Sequence, residues 1–167
     1  MTLKDGESFY LSETEKIICR FTPGHVKEHY CFFIVENEKT VGVICGDTVF
    51  NAGVGNCRDG GSPKILFETI RDHFINLADD VLIYPSHDYF LNNLAFALTV
   101  DPQNQRIVDY QKKIEKLAEE NKFYISSIGE EKKYNPFFRA FCKDFQSLHQ
   151  MTNKELFVYL RGERDKW

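Results

Sequence analysis

The sequence predicts an α/β fold followed by a small helical subdomain. Two observations carry this. β-Branched and aromatic runs bounded by Pro and Gly recur through the first hundred residues, with a single amphipathic helix among them. That mixture is the raw material of a layered α/β fold. After Asp101-Pro102 the character changes, and apolar residues recur at spacings of three and four, as on the buried stripe of a helix. The boundary is therefore placed there, giving segments 1–101 and 102–167.

Each element has its own signal. Ser8–Leu11, Lys16–Phe21, Tyr30–Glu36, Val41–Cys45 and Val81–Tyr84 read as strands. Ser62-Pro63 reads as an N-cap with Pro at the first helical position. The helix after it, to about Asn76, places Ile65, Leu66, Thr69, Ile70 and Phe74 near one face. From Asn104 to Asn121, Ile107, Tyr110, Ile114 and Leu117 form a helical stripe. A polar turn leads to a loop over Tyr134-Asn135-Pro136-Phe137-Phe138-Arg139. Thr152-Asn153-Lys154-Glu155 has the capping-box pattern. It predicts a final helix that buries Leu156, Tyr159 and Leu160 and ends in the charged tail Arg161 to Trp167.

Composition narrows the function classes. A hydrophobic fraction of 43% with fifteen Phe suffices for a well-filled core. A net charge of -4 offers no electrostatic footing for nucleic acid or an anionic membrane surface. No stretch approaches the roughly 20 apolar residues of a membrane span, and Met1 to Gly6 does not read as a signal peptide. The five cysteines (19, 31, 45, 57 and 142) are odd in number and form no C-x-x-C pair. They predict a reduced, cytoplasmic protein, with Cys31 and Cys45 as small core residues.

One pattern occurs three times: an apolar run ends in Gly or Ser followed by a metal-ligand residue. Ile17 to Phe21 runs into Thr22-Pro23-Gly24-His25, Val41 to Cys45 into Gly46-Asp47-Thr48, and Val81 to Tyr84 into Pro85-Ser86-His87-Asp88. Singly, each is a turn or cap residue. If all three strands end on one edge, His25, Asp47 and His87 meet in one cleft. Two imidazoles and a carboxylate suit zinc or another borderline divalent metal.

These residues also resemble a family. T-P-G-H, then Gly46-Asp47-Thr48-Val49-Phe50 with Ala52-Gly53, then Tyr84 to Tyr89 with Leu91-Asn92-Asn93-Leu94, resemble the metallo-β-lactamase superfamily and, more narrowly, glyoxalase II, the hydroxyacylglutathione hydrolases. The resemblance continues through Asp101-Pro102-Gln103-Asn104, the Asn135-Pro136-Phe137 loop and the basic tail, and matches the C-terminal portion of that family. It implies the C-terminal part of an αβ/βα sandwich followed by a helical substrate-binding subdomain. It implies hydrolysis of glutathione thioesters of the S-lactoylglutathione type, to a 2-hydroxy acid and glutathione, as in methylglyoxal detoxification. His25 and His87 would be terminal ligands of two metals, zinc first, with iron or manganese as alternatives, and Asp47 would bridge them. A metal-activated water would be the nucleophile. Tyr89, Arg161 and Arg164 would hold the glutathione moiety, since two Arg match its two carboxylates.

Two departures from the family pattern carry expectations. The family's H-x-H-x-D-H motif is not among these residues, and His29, His73 and His149 form no such cluster. The isolated chain is therefore expected to be inactive or to need a complementing half, as a truncation, a late start or half of a split enzyme. An apolar sheet face is then left open to association. Asn56 and Arg58 stand where the family carries a basic and an aromatic residue, with Cys57 between them as a nucleophile or a small filler. The alternative class is a non-catalytic family remnant acting as a binding or association module. A third reading, a persulfide dioxygenase-like relative with one iron, sits poorly with the thioesterase-type tail.

Overall fold

The computed structural model describes residues 3–167. A five-stranded mixed sheet is built from β1 (Ser8–Tyr10), β2 (Glu15–Phe21), β3 (Tyr30–Glu36), β4 (Lys39–Gly46) and β7 (Leu82–Pro85), in that spatial order. A small hairpin of β5 (Val49–Phe50) and β6 (Gly53–Val54) follows β4. α1 (Pro63–His73) crosses over to β7. The remainder is helical: α2 (Phe90–Val100), α3 (Gln105–Glu119), α4 (Ile128–Tyr134), α5 (Pro136–Arg139), α6 (Lys143–His149) and α7 (Asn153–Lys166).

All five expected strands form, within two residues of their expected ends. The capping box at Thr152 is made, and Asn104, where the expected helical stripe starts, caps α3. Several expectations need correction. Helix α2 lies ahead of Asp101-Pro102, and its Phe90, Leu94 and Ala97 bury one face against Ile107 and Tyr134. The Tyr134–Arg139 stretch is no simple loop: Tyr134 closes α4, and Asn135 caps α5, with Pro136 at its first turn. On α1 Phe67 is buried while Ile65 is exposed, and on α7 Phe157 is buried while Tyr159 is exposed. The tail from Arg161 does not leave the helix, which runs on to Lys166. His73 is half-buried against Phe33.

Alternation along the strands divides the sheet into two faces. Cys31, Phe33, Val43, Cys45 and Ile83 point into a core shared with Leu66, Phe67, Ile70, Phe74 and, from α7, Leu156, Phe157 and Leu160. Phe67 lies stacked on Phe141 and edge-on to Phe157, at centroid distances of 5.1 and 5.6 Å. The opposite face carries Ile17, Phe32, Ile34, Ile44, Leu82 and Tyr84 in register across β2, β3, β4 and β7. These six are only half-buried or, for Ile44, exposed, so an apolar sheet face stands open.

Strand direction places the site. β2 and β4 are each antiparallel to β3, so they run the same way, and β7 is parallel to β4. All three strands that precede a candidate ligand therefore end on one edge. Two glycines shape those ends. Gly24 has φ 135°, and a Cβ there would collide with the backbone of Leu66. Gly46 has φ 51°, and a Cβ there would come within 2.8 Å of His29 Nε2.

Candidate metal centre and anion-binding cleft

The three strand ends bring His25, Asp47 and His87 together. His25 Nε2 lies 3.5 Å from Asp47 Oδ2, and His87 Nε2 lies 3.7 Å from Asp47 Oδ1. Each imidazole thus faces a different oxygen of one carboxylate. His25 Nδ1–H donates to the Asn56 carbonyl at 2.7 Å, which fixes the tautomer and leaves Nε2 with its lone pair toward Asp47. Ser86 Oγ–H donates to Asp47 Oδ1.

His29 bonds both to the Asp47 backbone and to two threonine hydroxyls. Its Nδ1–H reaches the hydroxyls of Thr48 and Thr22 at 3.0 and 3.2 Å, and its Nε2 accepts the Asp47 backbone N–H at 3.4 Å. Burial, and secondarily the neighbouring His25, hold its pKa below the ordinary histidine value, so the ring is neutral as this network requires. Ser86 and His29 both orient Asp47, and sequence reasoning assigned neither a role. The second His four residues after His25 was the one visible signal.

The donor set fits a borderline divalent ion in kind and falls short in number. Among the described residues no group of three or more His, Cys, Asp or Glu is arranged around one point. The pairs His25–Asp47 and His87–Asp47 share the carboxylate, so each offers two donors where zinc centres normally have at least three.

Beside this centre lies a cavity of about 270 Å³ between the β5–β6 hairpin and α7. Asn56, Arg58, Tyr89, Arg161 and Arg164 all line it, together with Asn93. They play different parts. Tyr89, 47% exposed, stacks on His87 at 5.2 Å and packs edge-on to Phe50 at 5.3 Å, joining the cavity to the metal centre. Arg164 reaches Asn93 Oδ1 at 3.4 Å and lies over the rings of Phe96 and Trp167. Arg58 donates to the Asp165 carbonyl at 2.9 Å. Asn56 orients His25 through its backbone carbonyl. Arg161 is different: its side chain is 4% exposed, and its guanidinium donates to Val54 O, Gly55 O and Asp165 Oδ1 at 3.0, 3.3 and 3.0 Å. It braces the wall of the cavity. A larger surface groove along Lys64, Met151 and Tyr159 shares none of these residues.

Burial pushes the Cys57 thiol up to about 11, which favours the filler role over the nucleophile. Less than about one thiol in a thousand is ionised near neutral pH. Cys57 is therefore expected to react with iodoacetamide more slowly than free cysteine at about pH 7.5, as mass spectrometry of the labelled chain would show. Rapid labelling would return Cys57 to the list of nucleophiles.

The family model described as "Hydroxyacylglutathione hydrolase C-terminus" matches residues 88–167. The hydroxyacylglutathione hydrolase of Nitrosococcus oceani is 36% identical over 155 residues, covering 87% of this chain and 58% of the relative. That of Polaromonas sp. is 33% identical over 174 residues, covering 99% and 65%. The chain is similar to the C-terminal portion of the hydroxyacylglutathione hydrolases. It spans about 58–65% of the length of these two relatives. Among solved structures, ETHE1 from Myxococcus xanthus superposes with a TM-score of 0.61 at 18% identity, covering 96% of this chain and 50% of that one. A metallo-β-lactamase from Staphylococcus aureus superposes with 0.59 at 18% identity, covering 95% and 37%. At such identities the likeness is one of fold, and the fold is that of the metallo-β-lactamases.

Proposed function

We propose that this chain is the C-terminal part of a metal-dependent hydrolase of glutathione thioesters that releases a 2-hydroxy acid and glutathione. The observation that carries the reading is the placement of His25 and His87 on the two oxygens of Asp47, next to a cavity that presents Arg164, Arg58 and Tyr89. His25 with Asp47 would hold one divalent ion, and His87 with Asp47 a second. Zinc suits the donors best, and iron or manganese also fits. Bound there, the ions would supply Lewis acidity toward a thioester carbonyl and acidify water.

The chain's own residues do the rest. Asn56 O and Ser86 Oγ hold His25 and Asp47 in their donor orientations. Arg164 and Arg58 offer charge to glutathione carboxylates, and Tyr89 lays an aromatic face between that anchor and His87. The missing donors would come from a segment bearing H-x-H-x-D-H. The open apolar face of Phe32, Ile34, Ile44 and Tyr84 supports that arrangement, because it needs a cover. Five free cysteines support a reducing, cytoplasmic setting. No helix among the described residues is long and apolar enough to cross a membrane.

The test is complementation. The chain mixed with a segment carrying H-x-H-x-D-H and with zinc is expected to cleave S-lactoylglutathione, followed by release of the glutathione thiol. A mixture that binds two metals per pair yet leaves this and similar thioesters intact would overturn the substrate assignment. One observation favours a second reading, a binding or association module: neither metal position has three donors within this chain. Saturable binding of glutathione conjugates with no hydrolysis by the complemented pair would establish it.

A further inference from the structure

The turn that follows Asp47 is held by side chains of the helical part along five consecutive residues. Asn93 of α2 donates to Asn51 O at 2.9 Å, Glu131 of α4 accepts the Ala52 N–H at 2.9 Å, and Asn135 donates to Gly53 O at 3.1 Å. Arg161 of α7 takes the carbonyls of Val54 and Gly55. Ala52 sits at φ 56°, a conformation that a residue with a Cβ adopts only when its surroundings impose it.

Glu131 is the centre of this arrangement and is fully buried. Its Oε1 accepts from the hydroxyls of Ser126 and Tyr134 at 2.6 and 2.9 Å. Its Oε2 accepts from Ala52 N–H and Asn135 Nδ2–H at 2.9 and 2.8 Å. Four donors on two oxygens is the pattern of an ionised carboxylate. No cation is among these partners. The titratable groups that face it are Tyr134 on its own helix, Tyr110 of α3 packed on Tyr134 at 4.5 Å, and Cys45 of β4. α2 contributes the uncharged Asn93, and Arg161 of α7 spends its charge on carbonyls further along the turn.

We propose that Glu131 is a positioning residue of the candidate site: its ionised carboxylate latches the Asn51–Gly53 turn, and with it the loop that carries Asp47, and protonation releases the latch. A protonated Glu131 would bring a hydrogen to a ring of donors and lose at least one of them. Burial without a counter-cation raises its pKa to about 7, which puts the release within the neutral range.

The inference rests on the metal-centre reading only for what the loop carries, and its test needs neither metal nor turnover. In isotope-labelled chain, the Ala52 amide resonance is expected to titrate with a midpoint near pH 7 and to stay flat in Glu131→Gln. In that variant the amides of residues 48–55 are expected to exchange roughly tenfold faster, with β2 and β3 unchanged. A flat Ala52 signal in the parent chain overturns the proposal. So does an equal inflection in Glu131→Gln, which would point to a nearby histidine. Exchange that rises evenly through β2 and β3 would make Glu131 a support of the whole fold instead. If Glu131→Gln does not fold, Ser126→Ala serves: it removes one donor and is expected to raise the Ala52 midpoint by about half a unit. An unmoved midpoint also overturns the proposal. A chain that passes these tests and hydrolyses no thioester in the complemented pair keeps the latch and loses the functional reading.

Discussion

Asp47→Ala is expected to abolish metal uptake and to lower thioester hydrolysis by the complemented pair by at least about a thousandfold. Both candidate metal positions depend on this one carboxylate, because His25 faces Oδ2 and His87 faces Oδ1. Removing either imidazole would impair one position; removing Asp47 impairs both. The fold should barely register the change. The Asp47 side chain is 34% exposed, and among the described residues the one side-chain hydroxyl bound to it is that of Ser86, which can turn to water. Metal per chain, read by elemental mass spectrometry after dialysis, and the urea midpoint together separate loss of a ligand from loss of structure. Metal content that survives in Asp47→Ala would sink the ligand assignment, whatever happened to turnover.

The second large effect separates two arginines that look alike in sequence. Arg161→Ala is expected to lower unfolding free energy by about 3 kcal/mol. The substitution leaves Val54 O and Gly55 O without their donor, removes the partner of Asp165, and opens a space beneath Phe137, over which the guanidinium now lies at 5.4 Å. Arg161→Lys should restore little, because one ammonium cannot span two carbonyls and a carboxylate as the planar fork does. Arg164→Ala should leave the unfolding free energy within about 1 kcal/mol of the parent, since its side-chain hydrogen bond to Asn93 is long at 3.4 Å. Its effect should fall on KM, raised about tenfold by loss of a carboxylate anchor. Equal destabilisation by the two substitutions, or a pure KM effect of Arg161→Ala, would refute this division of labour.

The division bears on how the cleft works. All five residues expected at the substrate do surround one cavity, yet only some present a free polar group to it. Arg58 extends from the hairpin to the end of α7, where the family resemblance anticipates an aromatic. Arg58 and Arg164 line the same cavity, with Asp165 among its other lining residues.

Much of the fold was legible without coordinates. The strand runs are β-branched and aromatic, and Pro and Gly punctuate them, so period and turn chemistry agree. The N-caps at Asn104 and Thr152 follow from hydrogen bonds that are local in sequence. What escaped was set by contacts distant in sequence. α2 reads ambiguously, because Phe90 to Val100 is apolar nearly all round; its helical state comes from packing on α3 and Tyr134. The choice of Phe67 over Ile65 on α1 depends on where Phe141 and Phe157 arrive from the other end of the chain.

The same distinction runs through the site. The sequence by itself determined which residues could be ligands, because Gly-His, Gly-Asp and Ser-His at strand ends are local patterns, and a parallel arrangement of three strands was enough to bring them to one edge. Only the tertiary structure decided that each histidine faces a different oxygen of Asp47, that Arg161 braces rather than reaches, and that Glu131, which no motif singles out, sits buried under the loop. The physical reason is common to all three. A side chain's chemical identity is written at its own position, but its hydrogen-bond partners and its exposure are set by segments that lie many tens of residues away and meet it only when the chain is folded.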